Sequence, residues 1–418
     1  MPDAERLPRI LGALHARVPL GMRLGLEPMR EACARLGHPE RAFACVHIAG
    51  TNGKGSVSAM VEAMARASGK RTGLYTSPHL CRFAERIRVD GQPVDEQALL
   101  DALEEALTRG PDLSFFETAT LAAFLAFRAR GVELAVLEVG LGGRLDATNV
   151  IPCPAASAVT TIALDHTDVL GPDLPTIARE KAAIAKPGST LIVGPMEAGA
   201  RAAIDEVARS LGATTESVDE DEDPALLGAL QMPGLYQVQN ARIALSLARR
   251  LALPEQAMRR GLEGARWPGR FEWIDAEGGP VILDAAHNLD GARALVRAVA
   301  EAERRGARGW PEGARARDPR ALVFGALADK AWPEMLEVVA PLGSARFYTA
   351  PRGRLPADPA KLAGHRSGMP CASVEEALAL ARAAVGREGL ILVCGSIYLV
   401  GEARAKLLEE PMDPVVAL

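Results

Sequence analysis

The chain has 418 residues, 48% of them apolar and 24% charged, with a formal net charge of −5. That length exceeds one compact core and fits two domains, and the composition is that of an ordinary globular protein. The acid excess excludes a general electrostatic pull on nucleic acid, and the first twenty residues, with Asp3 and Glu5 and no long apolar run, read as neither signal peptide nor membrane anchor.

In chain order, apolar β-type runs occur at Ala42–Ala49, Glu133–Val139, Ser157–Ala163, Thr190–Val193, Val281–Leu283, Ala321–Phe324, Arg346–Thr349 and Leu390–Val393, separated by Ala/Leu-rich helical segments. Short, continuously apolar strands between helices predict a parallel sheet covered on both faces, a doubly wound α/β design. Ligand sites in that design lie at the carboxyl ends of the strands. Ser217–Pro224 reads as a short acidic loop and Glu301–Arg320 as a helix end that becomes a solvated connection rich in Arg, Gly and Pro. The break A-R-W-P-G at Ala265–Gly269 precedes a fresh set of βα units, so a first domain over residues 1–266 and a second over 267–418 are expected. Six scattered cysteines (Cys33, Cys45, Cys81, Cys153, Cys371, Cys394), with no C-x-x-C, predict buried thiols in a reducing cytoplasm.

The strongest local signal is H-I-A-G-T-N-G-K-G-S-V-S, His47–Ser58. Triphosphate binding needs inward backbone N–H groups, a helix N-terminus, a lysine for the terminal phosphates and a hydroxyl for Mg2+. Gly50, Gly53, Lys54 and Ser56 supply these parts, within a loop that also contains Thr51, Asn52 and Gly55. The general Walker spacing is not matched in full, because Gly55 follows the lysine and the serine comes one place later.

Glu138 falls near the end of a buried strand, where a bare carboxylate is costly and must be paired or metal-bound. The next strand ends in Leu164-Asp165-His166, so two neighbouring strands would bring Glu138 and His166 to the rim of the phosphate loop. Taken alone, Glu138 is as compatible with an ion pair as with a metal, and His166 reads as a hydrogen-bonded loop histidine, since Mg2+ favours oxygen ligands. Arg179-Glu180-Lys181 reads locally as a surface ion pair on a helix. In V-I-L-D-A-A-H-N-L-D-G, Asp284 stands at a strand end with His287 and Asn288 opening the next helix; ribose binding and a helix-capping turn are equally open there. Arg270, in W-P-G-R-F-E, lies just past the break, and Cys394-Gly395-Ser396 closes the last strand with a glycine turn.

Together these segments resemble the folylpolyglutamate synthase/dihydrofolate synthase family of the Mur-ligase superfamily. The resemblance is carried, in order over nearly the whole chain, by L-G-L-E-P-M-R (Leu24–Arg30), the phosphate loop, T-S-P-H-L (Thr76–Leu80), E-R-I-R-V-D-G (Glu85–Gly91), F-E-T-A-T-L-A-A-F (Phe116–Phe124), E-V-G-L-G-G-R-L-D-A-T-N-V (Glu138–Val150), L-D-H-T-D-V-L-G (Leu164–Gly171), R-E-K-A-A-I (Arg179–Ile184), Q-N-A-R-I-A-L (Gln239–Leu245), W-P-G-R-F-E (Trp267–Glu272), D-A-A-H-N-L-D-G (Asp284–Gly291) and C-G-S-I-Y-L-V-G-E (Cys394–Glu402). Ala84, Ala285 and Leu289 depart from the family pattern.

The resemblance implies a P-loop NTPase-like N-terminal domain and a smaller Rossmann-like C-terminal α/β domain. It implies an ATP-dependent ligase that adds L-glutamate to dihydropteroate, to reduced folates, or to both, through an acyl phosphate. Its cofactors would be ATP and Mg2+ at two sites, with K+ as a further candidate. Ser56, Glu138 and His166 would ligate Mg2+, and Lys181, as a carbamate, would help to hold the second ion. Asn240, Arg270, Asp284 and His287 would contact ATP from both sides of a cleft that closes about Ala265–Gly269. Lys54, Lys181 and His166 are the expected catalytic residues. Thr76, Ser77, Pro78, His79 and Arg82, with Phe116 of the Phe115–Phe116 pair, would frame the pterin. The expected form is a cytoplasmic monomer acting on small molecules, without nucleic acid or membrane. The rival within the superfamily is a muramyl-peptide ligase acting on a UDP-sugar peptide, which the T-S-P-H-L segment and the short stretch before Gly50 disfavour.

Overall fold

The structure is a computed structural model, which describes residues 6–18, 25–218, 224–276, 278–305, 319–353 and 355–413. Most of the acidic loop within Ser217–Pro224, most of the connection within Glu301–Arg320, and Leu24 of the first family segment lie outside the described residues. The chain divides into two compact units. One comprises residues 1–79, 83–230 and 239–265; the other comprises 80–82, 231–238 and 266–418.

The first unit is built on β1 (Ala44–Ala49), β2 (Thr72–Tyr75), β3 (Ile87–Val89), β4 (Gln92–Pro93), β5 (Leu134–Glu138), β6 (Ala156–Val159), β7 (Thr190–Val193) and β8 (Thr214–Ser217), in the spatial order β4-β3-β2-β5-β1-β6-β7-β8. The six strands from β2 to β8 in that order pair in parallel, and β3 and β4 add an antiparallel edge. Every residue of β5 is buried, as a parallel strand with helices on both faces requires. Behind the far half of the sheet, Val159, Leu191 and Val193 pack with Ile177, Ala182 and Ile204 in one apolar cluster.

The second unit holds β9 (Glu272–Ala276), β10 (Gly279–Asp284), β11 (Arg320–Phe324), β12 (Ala345–Tyr348), β13 (Met369–Pro370) and β14 (Leu390–Cys394), ordered β13-β12-β11-β14-β10-β9, parallel except for β9. Strand alternation sorts its core into two layers. Ile282, Leu322, Phe324, Leu392 and Cys394 face one cluster; Val281, Leu283, Ala321, Val323, Ile391 and Val393 face the other.

Three expectations change. The strand expected over Ser157–Ala163 ends at Val159: the Thr160 N–H still bonds to Ala49 O at the end of β1, and the hydroxyls of Thr160 and Thr161 and the N–H of Ala163 then turn to the phosphate loop. Glu138 and His166 do not follow neighbouring strands: β5 and β6 flank β1 on opposite sides, so the two residues lie on either side of the strand that feeds the phosphate loop. All six cysteines are free, but Cys153 is exposed, since it sits in the turn before β6 and not in a core strand.

Candidate functional site

The phosphate loop leaves β1 at Ala49 and enters the helix Lys54–Ala67. Gly50 has φ 144° and Gly53 has φ 87°, backbone that side chains disfavour. A splint from the segment after β6 shapes the loop. The Thr51 N–H donates to Thr161 O at 2.7 Å, the Asn52 N–H donates to Thr161 Oγ1 at 3.1 Å, and the hydroxyls of Thr160 and Thr161 donate to Asn52 O at 2.6 and 3.2 Å. Thr51 Oγ1 donates to Ala163 O at 3.2 Å and accepts from Ala163 N at 3.1 Å. A Cβ on Gly50 would lie 1.8 Å from Thr160 Oγ1. Gly50→Ala is therefore expected to displace the loop and to lower kcat/KM for ATP by about a hundredfold, the scale on which an ångström of misplacement acts. Steady-state kinetics check it, with thermal melting to show that the protein remains folded.

Two lysines meet at the loop. Lys54 Nζ donates to Gly50 O and Thr51 O, each at 3.1 Å, and Lys181 Nζ donates to the same Gly50 O at 3.1 Å. Lys181 is only 4% exposed, so the surface ion pair suggested by its neighbours is not formed by Lys181. Instead Glu180 pairs with Arg144 and Arg179 with Glu206. Burial, reinforced by the Lys54 charge, pulls the Lys181 amine down to about 7. A shift of that size disfavours the charged form by about 5 kcal/mol. Asp165 and Asp146 act in the opposite direction and are outweighed.

Asn240, buried on the helix Leu235–Arg250, stands against the loop: a Cβ on Gly53 would lie 2.4 Å from its Oδ1. Ser56 is buried in the first turn of the loop helix, and Gly55 precedes it there. Glu138 ends β5, is buried, and accepts the Ser77 N–H at 3.3 Å. His166 has φ 50°, and its Nε2 is 3.8 Å from Asp165 Oδ1. Among the described residues no three His, Cys, Asp or Glu side chains gather as a metal cage. The oxygens of Ser56 and Glu138 are of the kind that Mg2+ takes, beside waters and phosphate oxygens.

On the expected pterin side, Thr76 is buried, with its N–H on Arg86 O at 3.0 Å. The Ser77-Pro78 peptide is cis. Arg86 Nε donates to His79 Nδ1 at 2.8 Å, so that ring nitrogen carries no proton and His79 is neutral. Phe115 and Phe116 diverge. Phe115 is buried against His15 and Phe83, with the Arg86 guanidinium 5.3 Å from its centroid. Phe116 remains partly accessible, 6.1 Å from Tyr75 and against Gly140. Arg82 is exposed and is grouped with residues 80–82 in the second unit, while Thr76–His79 belong to the first.

In the second unit, Asp284 ends β10 and is buried. Its carboxylate accepts from Phe271 N, Ala286 N and the Tyr236 hydroxyl, each at 2.9 Å. Phe271 takes φ 49°, and Arg270 Nη1 donates to Ala285 O at 2.8 Å. His287 Nδ1 donates to the same carbonyl at 2.9 Å, which places its proton on Nδ1. Burial raises the Asp284 carboxyl above the usual range, against the pull of Arg270 and the donors it accepts. Sequence reasoning did not single out Thr160, Thr161, Tyr236 or Asp146; strand-end position was the available signal for the two threonines.

Fold and loop define a P-loop nucleotide-binding protein with a second α/β unit. The family model for the Mur ligase middle domain matches residues 48–223, and that for the Mur ligase glutamate ligase domain matches residues 269–397. A dihydrofolate synthase/folylpolyglutamate synthase of Escherichia coli is 37% identical over 398 residues, covering 90% of each chain. The chain belongs to the folylpolyglutamate synthase/dihydrofolate synthase family of Mur ligases. A Haloferax volcanii protein described as "Probable bifunctional folylpolyglutamate synthase/dihydropteroate synthase" is 36% identical over 417 residues, and the match spans 91% of this chain but only 48% of that longer protein. The solved bifunctional folylpolyglutamate synthase/dihydrofolate synthase of Yersinia pestis, complexed with AMPPNP and Mn ion, superposes with a TM-score of 0.80 at 32% identity, covering 93% of this chain and 94% of that one. Among the described residues no helix is long and apolar enough to cross a membrane.

Proposed function

We propose that this chain is an ATP-dependent ligase that adds L-glutamate to dihydropteroate and to the γ-carboxylate of tetrahydrofolates, releasing ADP and phosphate. In this reading residues 1–266 form the nucleotide-binding domain and 267–418 the second domain, and the protein works as a cytoplasmic monomer on small molecules. What carries it is the convergence of two lysine amines on Gly50 O of a pre-shaped phosphate loop, in a chain of this family.

The substrate carboxylate attacks the γ-phosphorus of ATP, and ADP leaves. The glutamate amine then attacks the acyl carbon, loses a proton and expels phosphate. Residues 50–56 cradle the phosphates with their N–H groups, and Lys54 turns from its loop carbonyls to the transferring phosphoryl group. Ser56, Glu138, His166 and Lys181 as a carbamate would hold Mg2+, which when bound offsets charge on the phosphate oxygens. Asn240, Arg270, Asp284 and His287 are the proposed nucleotide contacts. Thr76, Ser77, Pro78, His79, Arg82 and Phe116 are the proposed acceptor contacts, with the accessible Phe116 ring as the stacking surface for a flat pterin.

The two acceptors differ in length by one glutamate, while attack geometry tolerates about 1 Å. Two pterin positions, or a mobile pocket, are therefore required, and Phe116 is assigned to the dihydropteroate position. Steady-state assays with dihydropteroate and with tetrahydrofolate test this: both support turnover in the wild type, and Phe116→Ala lowers kcat/KM for dihydropteroate by about tenfold, the scale of one lost stacking contact, and that for tetrahydrofolate less. A wild type that turns over tetrahydrofolate alone contradicts the dual activity.

A further inference from the structure

One buried chain of hydrogen bonds belongs to none of the roles assigned above. His47 lies in the middle of β1, three residues before Gly50, and is fully buried. Its Nε2 is 2.8 Å from Thr148 Oγ1. Thr148, also fully buried, donates its hydroxyl to Asp146 Oδ1 at 2.5 Å and its N–H to the same oxygen at 3.0 Å. The other oxygen, Asp146 Oδ2, accepts from Gly140 N at 2.9 Å and Leu141 N at 3.0 Å.

Proton accounting fixes the direction of the chain. Burial raises the Asp146 carboxyl, but three backbone N–H groups, those of Gly140, Leu141 and Thr148, donate to it and favour the carboxylate, which acts only as an acceptor. The single Thr148 hydroxyl proton is spent on Asp146, and Thr148 Oγ1 must then accept from His47. His47 is thus a neutral ring with its proton on Nε2, in keeping with burial, which pushes it down to about 3. Its Nδ1 has no partner among the described residues. A buried polar ring with an unmatched nitrogen costs more than an apolar residue would, so the bond that it does make calls for an explanation.

The chain ends on the two peptides that follow Glu138 and Val139. Gly140 packs against the tip of the Phe116 ring: an added Cβ would lie 2.4 Å from its Cζ. The far end of the same loop is tied to the Lys181 helix by bonds that do not pass through Thr148. Arg144 N–H donates to Glu180 O at 2.9 Å, and Asn149 Nδ2 donates to Arg144 O at 3.1 Å and Ala183 O at 3.2 Å.

We infer that His47 and Thr148 are positioning residues that anchor the Gly140–Leu141 segment to the centre of the sheet and so fix the wall against Phe116, setting affinity for the pterin-bearing acceptor and not for the nucleotide. This rests on the proposed ligase reading and on Phe116 facing the pterin.

The test compares Thr148→Val, which keeps the shape and removes the hydroxyl, with Thr148→Ser, which restores it, and with His47→Leu, which leaves Thr148 on Asp146 and cuts only the anchor. KM is measured separately for dihydropteroate, tetrahydrofolate, glutamate and ATP, beside the melting temperature. Thr148→Val is expected to raise KM for the acceptor by about tenfold, the scale of one lost hydrogen bond, with KM for ATP within about twofold of wild type. Thr148→Ser returns the acceptor KM towards wild type, and His47→Leu shows the same split at smaller size, which also decides the matter if Thr148→Val does not fold. A merely structural role would lower the melting temperature and the active fraction without moving acceptor KM, and that result, or an equal rise in all four KM values, overturns the inference. A wild type with no acceptor-dependent turnover would instead defeat the ligase reading itself.

Discussion

Lys54→Ala is expected to lower kcat for ligation by about a thousandfold or more, the range in which a single charge-stabilising donor acts on a transferring group, while the melting curve stays close to that of the wild type. The second half of that expectation follows from the structure. Among the described residues the Lys54 amine bonds to two carbonyls of its own loop, Gly50 O and Thr51 O, and the loop is independently held by Thr160, Thr161 and Ala163. Removing the amine leaves that splint in place, and Gly50 O keeps its bond from Lys181 Nζ. Rapid-quench measurement of ADP formation, with circular dichroism on the same sample, separates the two effects. Activity within a few-fold of wild type would remove Lys54 from the chemistry.

Lys181→Ala has the next largest expected effect, a loss of about a hundredfold, as for removal of one preorganised electrostatic partner, with partial recovery in added acetate. A lysine amine captures CO2 only when unprotonated, and burial next to Lys54 brings Lys181 down to about 7. The sign follows directly. Above about 7 the neutral amine dominates and the carbamate can form; as pH falls through that value the ammonium takes over and the carbamate is lost. Wild-type activity should therefore decline on the acid side of neutrality, and CO2 depletion should reproduce the decline at constant pH. Acetate can restore a carboxylate only in the space left by the truncated side chain, so it should help Lys181→Ala and not Lys54→Ala. An unimpaired Lys181→Ala enzyme, indifferent to CO2 and acetate, would end this role.

How much of this was legible in the sequence depended on how far each signal reached along the chain. The central strands β1, β5, β7, β11 and β14 are continuous apolar runs because both faces of a parallel strand are covered, and such runs can be read directly. Edge strands escaped: β4 and β13 are each two residues long, and β9, E-W-I-D-A, carries polar residues because one side of it is open. Glu138 was legible because an acid in an apolar run stands out. Lys181 was not legible from its neighbours, since Arg179 and Glu180 do form the surface pairs that the local pattern suggests, and only the helix rotation turns Lys181 inward. The His47–Thr148 bond joins residues 101 positions apart and has no local signature. Asp146 was not singled out, and in the structure it caps the turn Ala147–Val150 through its bond to the Thr148 N–H.

The central claim, carboxylate activation by phosphoryl transfer, is tested most directly by following oxygen. Dihydropteroate labelled with 18O in its carboxylate is incubated with ATP, L-glutamate and the enzyme, and the phosphate released is analysed by mass. Acyl phosphate chemistry predicts ADP, amide and phosphate in equal amounts, with one labelled oxygen in each phosphate and glutamate required for full turnover. Unlabelled phosphate formed without amide, or AMP and pyrophosphate carrying the label to AMP, would contradict it.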